Sequence, residues 1–205
     1  MRSQHGWLLL PLFLGGCPWP NTVLSESPAT GATSFYVAGD GAGSFGEAFI
    51  GKDGMGFIVL SKDDAEPAVA YYEVEGPYAM RTPAPANRPL DVEVALSSAV
   101  PITVQPLTLA TARGTFSVMA GGTPLTVTVS ATGRITGRGT GCKLSGQLGW
   151  ASAIDGALPL SLDVSACGGV TGRLEGYAVR ALTYAPASLR FVAHDDKAVL
   201  DWLLL

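Results

Sequence analysis

The chain has 205 residues, of which 15% are charged, and a formal net charge of −4. An acid excess with no basic stripe excludes electrostatic docking on a nucleic-acid backbone, which needs clustered Lys and Arg. The 26 glycines beside so few charges argue for strands and turns rather than long helices.

The first element is a leader. Arg2 heads an apolar run from Trp7 to Leu14, followed by Gly15, Gly16 and Cys17. A secretory leader has a positive head, an apolar stretch of about 7–15 residues and small residues before the cut. The run is too short to cross roughly 30 Å of hydrocarbon, which takes about 20 helical residues. Leu14-Gly15-Gly16-Cys17 is similar to a bacterial lipoprotein signal, with residues 1–16 removed. The thiol of Cys17 then takes a diacylglyceryl group, and fatty chains such as palmitate hold the mature chain on a membrane; more than one chain makes the anchor stable. The alternative is an ordinary signal peptide with a chance cysteine. Lipoproteins of the inner membrane often carry Asp after the lipidated cysteine, so Pro18 points to the outer membrane. Residues 17–34 are rich in Pro, Ser, Thr and Gly and read as a tether.

The remaining 171 residues form an expected N-terminal β-unit over 35–112 and a C-terminal β-unit over 113–205. Lys52-Asp53-Gly54 separates the apolar runs 45–51 and 55–61, which predicts a hairpin. Ala65 to Val74 is the likeliest short helix, although Tyr71, Tyr72 and Val74 suit a strand as well. Residues 77–89 hold four prolines and read as a long connection. Pro101 and Pro106 break a second apolar stretch, whose pieces fit edge strands. Period-two alternation then takes over: Leu125, Val127 and Val129, then Cys142, Leu144, Gly146, Leu148 and Trp150, then Leu158, Leu160, Leu162 and Val164, and finally Leu189, Phe191 and Ala193. The apolar tail from Val199 to Leu205 predicts a last strand that closes the sheet. From residue 18 to 112 there are eleven acids and four bases, a charge of −7; from 113 to 205 there are six acids and eight bases, a charge of +2. That charge shift supports the boundary near 112. The acidic half is a solvated surface or a face for a basic partner. Residues 35–61 and 115–148 both run strand, Gly-rich turn, apolar strand, which raises the expectation of two related β-units.

After Cys17 only Cys142 and Cys167 remain. An even pair in an exported domain is best read as one disulfide. A metal or redox pair is disfavoured: there is no Cys-x-x-Cys, and the mature chain has His194 as its one histidine. Gly41-x-Gly43-x-x-Gly46 matches a dinucleotide fingerprint with Glu66 beyond it, but that fingerprint works only where a helix follows the glycines, and residues 45–51 read as strand. Asp63, Asp64 and Glu66 lack the spacing of a calcium loop and read as a solvated loop. His194, Asp195 and Asp196 form the one polar cluster with acid–base potential. Neighbours on a strand point to opposite faces, so the segment reads as a turn between two strands. No Gly-x-Ser-x-Gly elbow is present. No catalytic, metal or cofactor-binding residue is therefore expected.

The order Gly141-Cys142-Lys143-Leu144-Ser145-Gly146, then Cys167, then Gly176-Tyr177-Ala178, resembles uncharacterised lipoproteins of Gram-negative bacteria. Their C-terminal half carries a Gly-Cys-x-x-x-Gly strand, a second cysteine and a closing Gly-x-Ala strand. The resemblance covers roughly the last 90 residues and implies an antiparallel β-barrel or sandwich stapled by Cys142–Cys167. It carries no activity. The chain departs at Gly168-Gly169-Val170, a tight link where related chains often have a longer one.

The expectation is an all-β domain, an antiparallel barrel or sandwich, held at the outer membrane through lipid on Cys17. It acts there as a non-enzymatic interaction or structural component of the envelope, with an envelope protein as partner. The alternative is a barrel that binds a small apolar ligand among the aromatics Phe35, Tyr36, Phe45, Phe49, Phe57, Tyr71 and Tyr72; an exported hydrolase ranks last.

Overall fold

The computed structural model describes residues 29–36, 45–64, 66–76, 78–81 and 99–205. Cys17, the leader, most of the tether, Gly41 and Gly43 lie outside these residues. The fold is all-β and antiparallel throughout. A first sheet contains β1 (Gly31–Tyr36), β2 (Phe45–Ile50), β3 (Met55–Ser61), β4 (Ala70–Glu75), β5 (Tyr78–Arg81) and the two-residue β6 (Val100–Pro101), in the order β5-β4-β3-β2-β1-β6. A second sheet is an eight-stranded meander: β7 (Gly114–Ala120), β8 (Thr123–Val129), β9 (Arg134–Gly139), β10 (Lys143–Leu148), β11 (Ala157–Cys167), β12 (Val170–Val179), β13 (Leu189–His194) and β14 (Val199–Leu204). It curls into a nearly closed barrel. The seam is made by Leu205, whose N–H donates to Ser117 O at 2.9 Å and whose carbonyl accepts from Ser117 N at 2.8 Å. The apolar tail thus closes the sheet, as its sequence predicts.

Alternation dictates what fills the barrel. Leu125, Val127, Val129, Leu144, Leu158, Leu160, Leu162, Leu174, Phe191, Leu200, Trp202 and Leu204 all point inward and join one buried cluster. An interior of this strand number is just wide enough for side chains to fill, and here they fill it.

The disulfide joins Cys142 to Cys167 inside that cluster. Strict alternation along β11 would turn Cys167 outward, on the parity of Asp163 and Ser165. A bulge between Val164 and Cys167, with Ala166 at φ 55°, shifts the register and brings the cysteine inward. Gly168 and Gly169, at φ 63° and 86°, then form the two-residue turn into β12. Positive φ at both positions is the hairpin geometry that glycine permits at no steric cost. The tight link is therefore a consequence of the glycine pair.

The first sheet lies across the outside of the barrel. Phe49, Phe57, Val59 and Tyr71 pack on Ala157, Val179, Ala181 and Val192. Phe57 is the hub: its ring centroid lies 4.9 Å from Phe49, 5.6 Å from Tyr71 and 4.9 Å from Tyr177, all stacked. The opposite face of the sheet holds a second buried cluster, Phe35, Ala48, Ile50, Ile58, Leu60, Ala70, Tyr72 and Val74. Strands buried on both faces read as continuous apolar runs, which is why Phe57-Ile58-Val59-Leu60 does not alternate. Gly46 on β2 is required by this packing, since a Cβ there would meet the Phe35 ring at 2.3 Å.

Four local expectations need correction. Residues 65–74 contain no helix among those described; residues 70–75 form β4, in which Tyr71 and Tyr72 are buried on opposite faces while Glu73 and Glu75 stay exposed. Residues 78–81 pair with β4 as β5 rather than joining a bare connection. The tether ends earlier than residue 34, since Gly31 already pairs with Ile50. A one-turn helix over Leu109–Ala112 starts at a capping box between Thr108 and Thr111, a signal the sequence carries in four residues. Pro101 sits on the edge strand β6, where a missing N–H is tolerated.

One charged group joins the two sheets. Arg190 points outward from β13, yet is 4% exposed because the first sheet covers it. Its Nε and Nη2 donate to Asp201 at 2.6 and 2.7 Å, and its Nη1 donates to Glu47 on β2 and to the Tyr184 hydroxyl. That hydroxyl in turn donates to Glu47 at 2.7 Å. Burial works against the guanidinium charge, but Asp201, Tyr184 and Glu47 together hold its pKa well above the ordinary value. Removing one member of a buried ion pair strands the remaining charge and costs about 3–5 kcal/mol. Arg190→Met is expected to lose about that much in urea unfolding, with Glu47 and Asp201 left uncompensated.

Candidate functional site

The outward face of β10–β13 carries a register row: Gln147 opposite Ser161, Ser161 opposite Glu175, and Glu175 opposite His194. Residues on one face of paired strands are neighbours, so the row is a continuous polar strip. Above it stands the first sheet, with Met55 from β3 and Tyr71, Glu73 and Glu75 from β4. Between them runs a cleft of about 490 Å³, whose apolar part is formed by Tyr71, Pro159 and Tyr177. Ligand sites are concave, of this size class, and favour the junction between structural units.

Two hydrogen-bonded pairs organise the cleft. His194 Nε2 lies 3.1 Å from Glu73 Oε1, and the imidazole lies against Tyr71, with ring centroids 4.2 Å apart. On the opposite wall Ser161 donates its hydroxyl to Glu175 at 3.1 Å, and Arg173 Nε donates to the same oxygen at 2.8 Å. The Tyr71 phenol is pushed well above its ordinary pKa, by burial first and then by Tyr177 and Glu73. Tyr177 is raised by burial, Glu73 and Asp53. Both shifts report a wall of low polarity facing negative charge.

His194 ends β13, and the following residues make the predicted turn: Asp195 accepts from the N–H groups of Lys197 and Ala198 at 2.8 and 2.7 Å. The fold gives His194 a partner that the sequence does not name, Glu73, 121 residues away. Asp63, Asp64 and Glu66 are exposed in the loop before β4. Glu66 and Asp64 line a smaller cavity of about 200 Å³ beside Arg190, Asp201 and Trp202. Cys142 and Cys167 lie in the barrel core, away from both cavities. Among the described residues, no three of His, Cys, Asp and Glu are grouped to hold a metal ion. Sequence reasoning singles out neither Glu73, Glu175, Tyr177 nor Ser161, because each looks like an ordinary outward strand residue until the first sheet stands over it.

Compared with known proteins, the chain matches no family model, no curated protein and no solved structure.

The raised phenols of Tyr71 and Tyr184, the latter held up chiefly by burial, link folding to alkaline pH. The unfolded chain releases these protons near the ordinary tyrosine value of about 10, while the folded chain retains them. Stability is therefore full below about pH 10 and falls as pH rises above it. Thermal melts across that range are expected to show a falling midpoint, and Tyr71→Phe is expected to flatten the fall.

Proposed function

We propose that this chain is an exported protein, tethered to the outer membrane by lipid on Cys17, that acts as a non-enzymatic binding component of the envelope through the cleft between its sheets. The observation that carries the reading is the Cys142–Cys167 bridge. Disulfides persist in exported compartments and are rare in reducing ones, and the leader read from residues 1–16 leads to the same place. The filled barrel interior supports a contact surface outside the barrel over an apolar ligand within it. The cleft combines the rings of Tyr71 and Tyr177 with Glu73, Glu75 and Glu175.

A hydrolase is the second reading, favoured by the His194–Glu73 pair, since a base held by a carboxylate is the start of such machinery. Against it, the Ser161 hydroxyl is engaged by Glu175 rather than by His194. A base with no nucleophile in reach positions charge without activating an attack.

Three measurements on protein expressed in its own cells test the proposal. Intact mass is expected to give an acylated chain beginning at Cys17. Cys17→Ser is expected to move the protein from the membrane to the soluble fraction. Cys142 and Cys167 are expected to resist alkylation until reduced, and reduction should lower stability by about 3 kcal/mol for a loop of this length. A chain with another N-terminus and no acyl mass overturns the tether.

A further inference from the structure

We propose that the cleft binds an organic cation, an ammonium or guanidinium group carried on an apolar or planar body. The inference deepens the binding role proposed above and rests on that reading of the cleft.

Charge complementarity carries the argument. Three carboxylates, Glu73, Glu75 and Glu175, line the cleft, and no Lys or Arg does; Arg173, outside the lining, pairs with Glu175 and His194 with Glu73, so acids still outnumber bases. The other polar depressions of the surface differ. The open one on the outer face of β8–β12, about 860 Å³, mixes Arg138, Lys143 and Arg173 with Asp163. The small one near β14 mixes both signs, with Arg190 paired to Asp201 and Glu47. Among the described residues, the cleft sets three carboxylates, with no Lys or Arg in its lining, beside the rings of Tyr71 and Tyr177.

The aromatic part specifies the body of the ligand. Tyr177 is half-buried, its ring fixed by stacking on Phe57, and Tyr71 continues the apolar wall. A cation set against such rings is attracted by the ring quadrupole while its carbon frame is desolvated. The carboxylates come from both walls, with Glu73 and Glu75 on β4 facing Glu175 on β12. A long cation can therefore be held from two sides. A bare metal ion is a poorer fit, because these groups do not converge as ligands among the described residues. The phenol of Tyr177, raised by burial and by the nearby carboxylates, registers the same negative field. The volume of about 490 Å³ suits a group the size of an arginine side chain with its flanking backbone.

Agmatine and a capped Gly-Arg-Gly tripeptide present this group in its two sources, a small amine and a side chain of a partner polypeptide. The full chain in detergent micelles is titrated with each, against a capped Gly-Gln-Gly control, and followed by NMR at Gln147, Gly176, Tyr177 and His194. Saturable shifts with either cation and none with the control support the proposal, and the tighter probe names the source. Raising salt from about 0.05 to 0.5 M is expected to weaken binding about tenfold, since exposed charges are then screened. The double variant Glu73→Gln/Glu75→Gln is expected to weaken it by a similar factor. Both positions are exposed, and an unchanged unfolding midpoint shows that the fold survives. Tyr177→Leu, which keeps an apolar contact to Phe57, is expected to weaken binding at unchanged charge. Equal binding of the glutamine peptide, calcium displacing the cation, or no saturable shift at millimolar concentration overturns the proposal. A failure of the tether shows separately, as Cys17→Ser protein that stays on the membrane, and leaves the binding result standing.

Discussion

The arrangement of the two sheets depends on one buried cation. Arg190 is the point at which β13 of the barrel, β14 through Asp201 and β2 of the first sheet through Glu47 meet under cover. Asp201 makes a further bond that matters for position, accepting the Ala68 N–H at 2.6 Å just before β4 begins. The same carboxylate therefore anchors the guanidinium and the chain leading into β4. Buried ion pairs contribute little net stability over a well-packed apolar substitute, but a misplaced partner is heavily penalised. The interaction thus selects one seating of the sheet on the barrel. That seating is what sets Glu73 over His194.

A sheet laid across a barrel cannot touch it everywhere. The apolar contact runs through Phe49, Phe57 and Val59 in the middle, and the two surfaces diverge on either side. Along β3 this is visible residue by residue: Met55 lines the larger cleft, Phe57 and Val59 are in the contact, and Ser61 lines the smaller cavity by Arg190. The two cavities are the two wedges left by the mismatch of curvature. One is closed by the Arg190 network, in which each charge finds a partner. The other stays open, with Glu73 paired to His194 and Glu175 to Ser161 and Arg173 at its walls.

Much of the barrel is legible in the sequence because its strands have one buried face, so apolar and polar residues alternate with period two. Leu125 to Val129 and Leu158 to Val164 read correctly for that reason. The first sheet is harder. Ile58 and Tyr72 are buried on one face while Phe57 and Tyr71 are buried on the other, so no period survives and residues 65–74 resemble a short helix as readily as a strand. The bulge at Ala166 is not legible either, since it breaks the alternation that would otherwise turn Cys167 outward. For the cleft, the sequence singles out His194 by its chemistry but names no partner for it. Of its chain neighbours, Asp195 caps the turn that follows, while the partner of His194 lies on a strand of the other sheet. Two local irregularities did point to that sheet: Glu47 is a lone acid within Phe45–Ile50, and Arg190 a lone base within Leu189–Ala193. A single charge in an apolar strand needs a partner from elsewhere, and here each is the other's.

The packed barrel and the open wedge together decide where the chemistry of this molecule can be. Barrel folds bind inside when the lumen is left empty, but the twelve or more inward side chains here leave no such space. Selectivity must then come from the outside of the barrel, where a single layer of strand residues gives an open, solvated depression, as around Thr126, Thr128 and Thr136. Depth requires a second wall. The first sheet supplies it, and so converts an ordinary outward row, Gln147, Ser161, Glu175 and His194, into the floor of a cleft. Its role is accordingly more than to cover the apolar patch around Val179 and Val192: by standing over the barrel it brings the rings of Tyr71 and Tyr177 and the carboxylates of Glu73, Glu75 and Glu175 to face a common space.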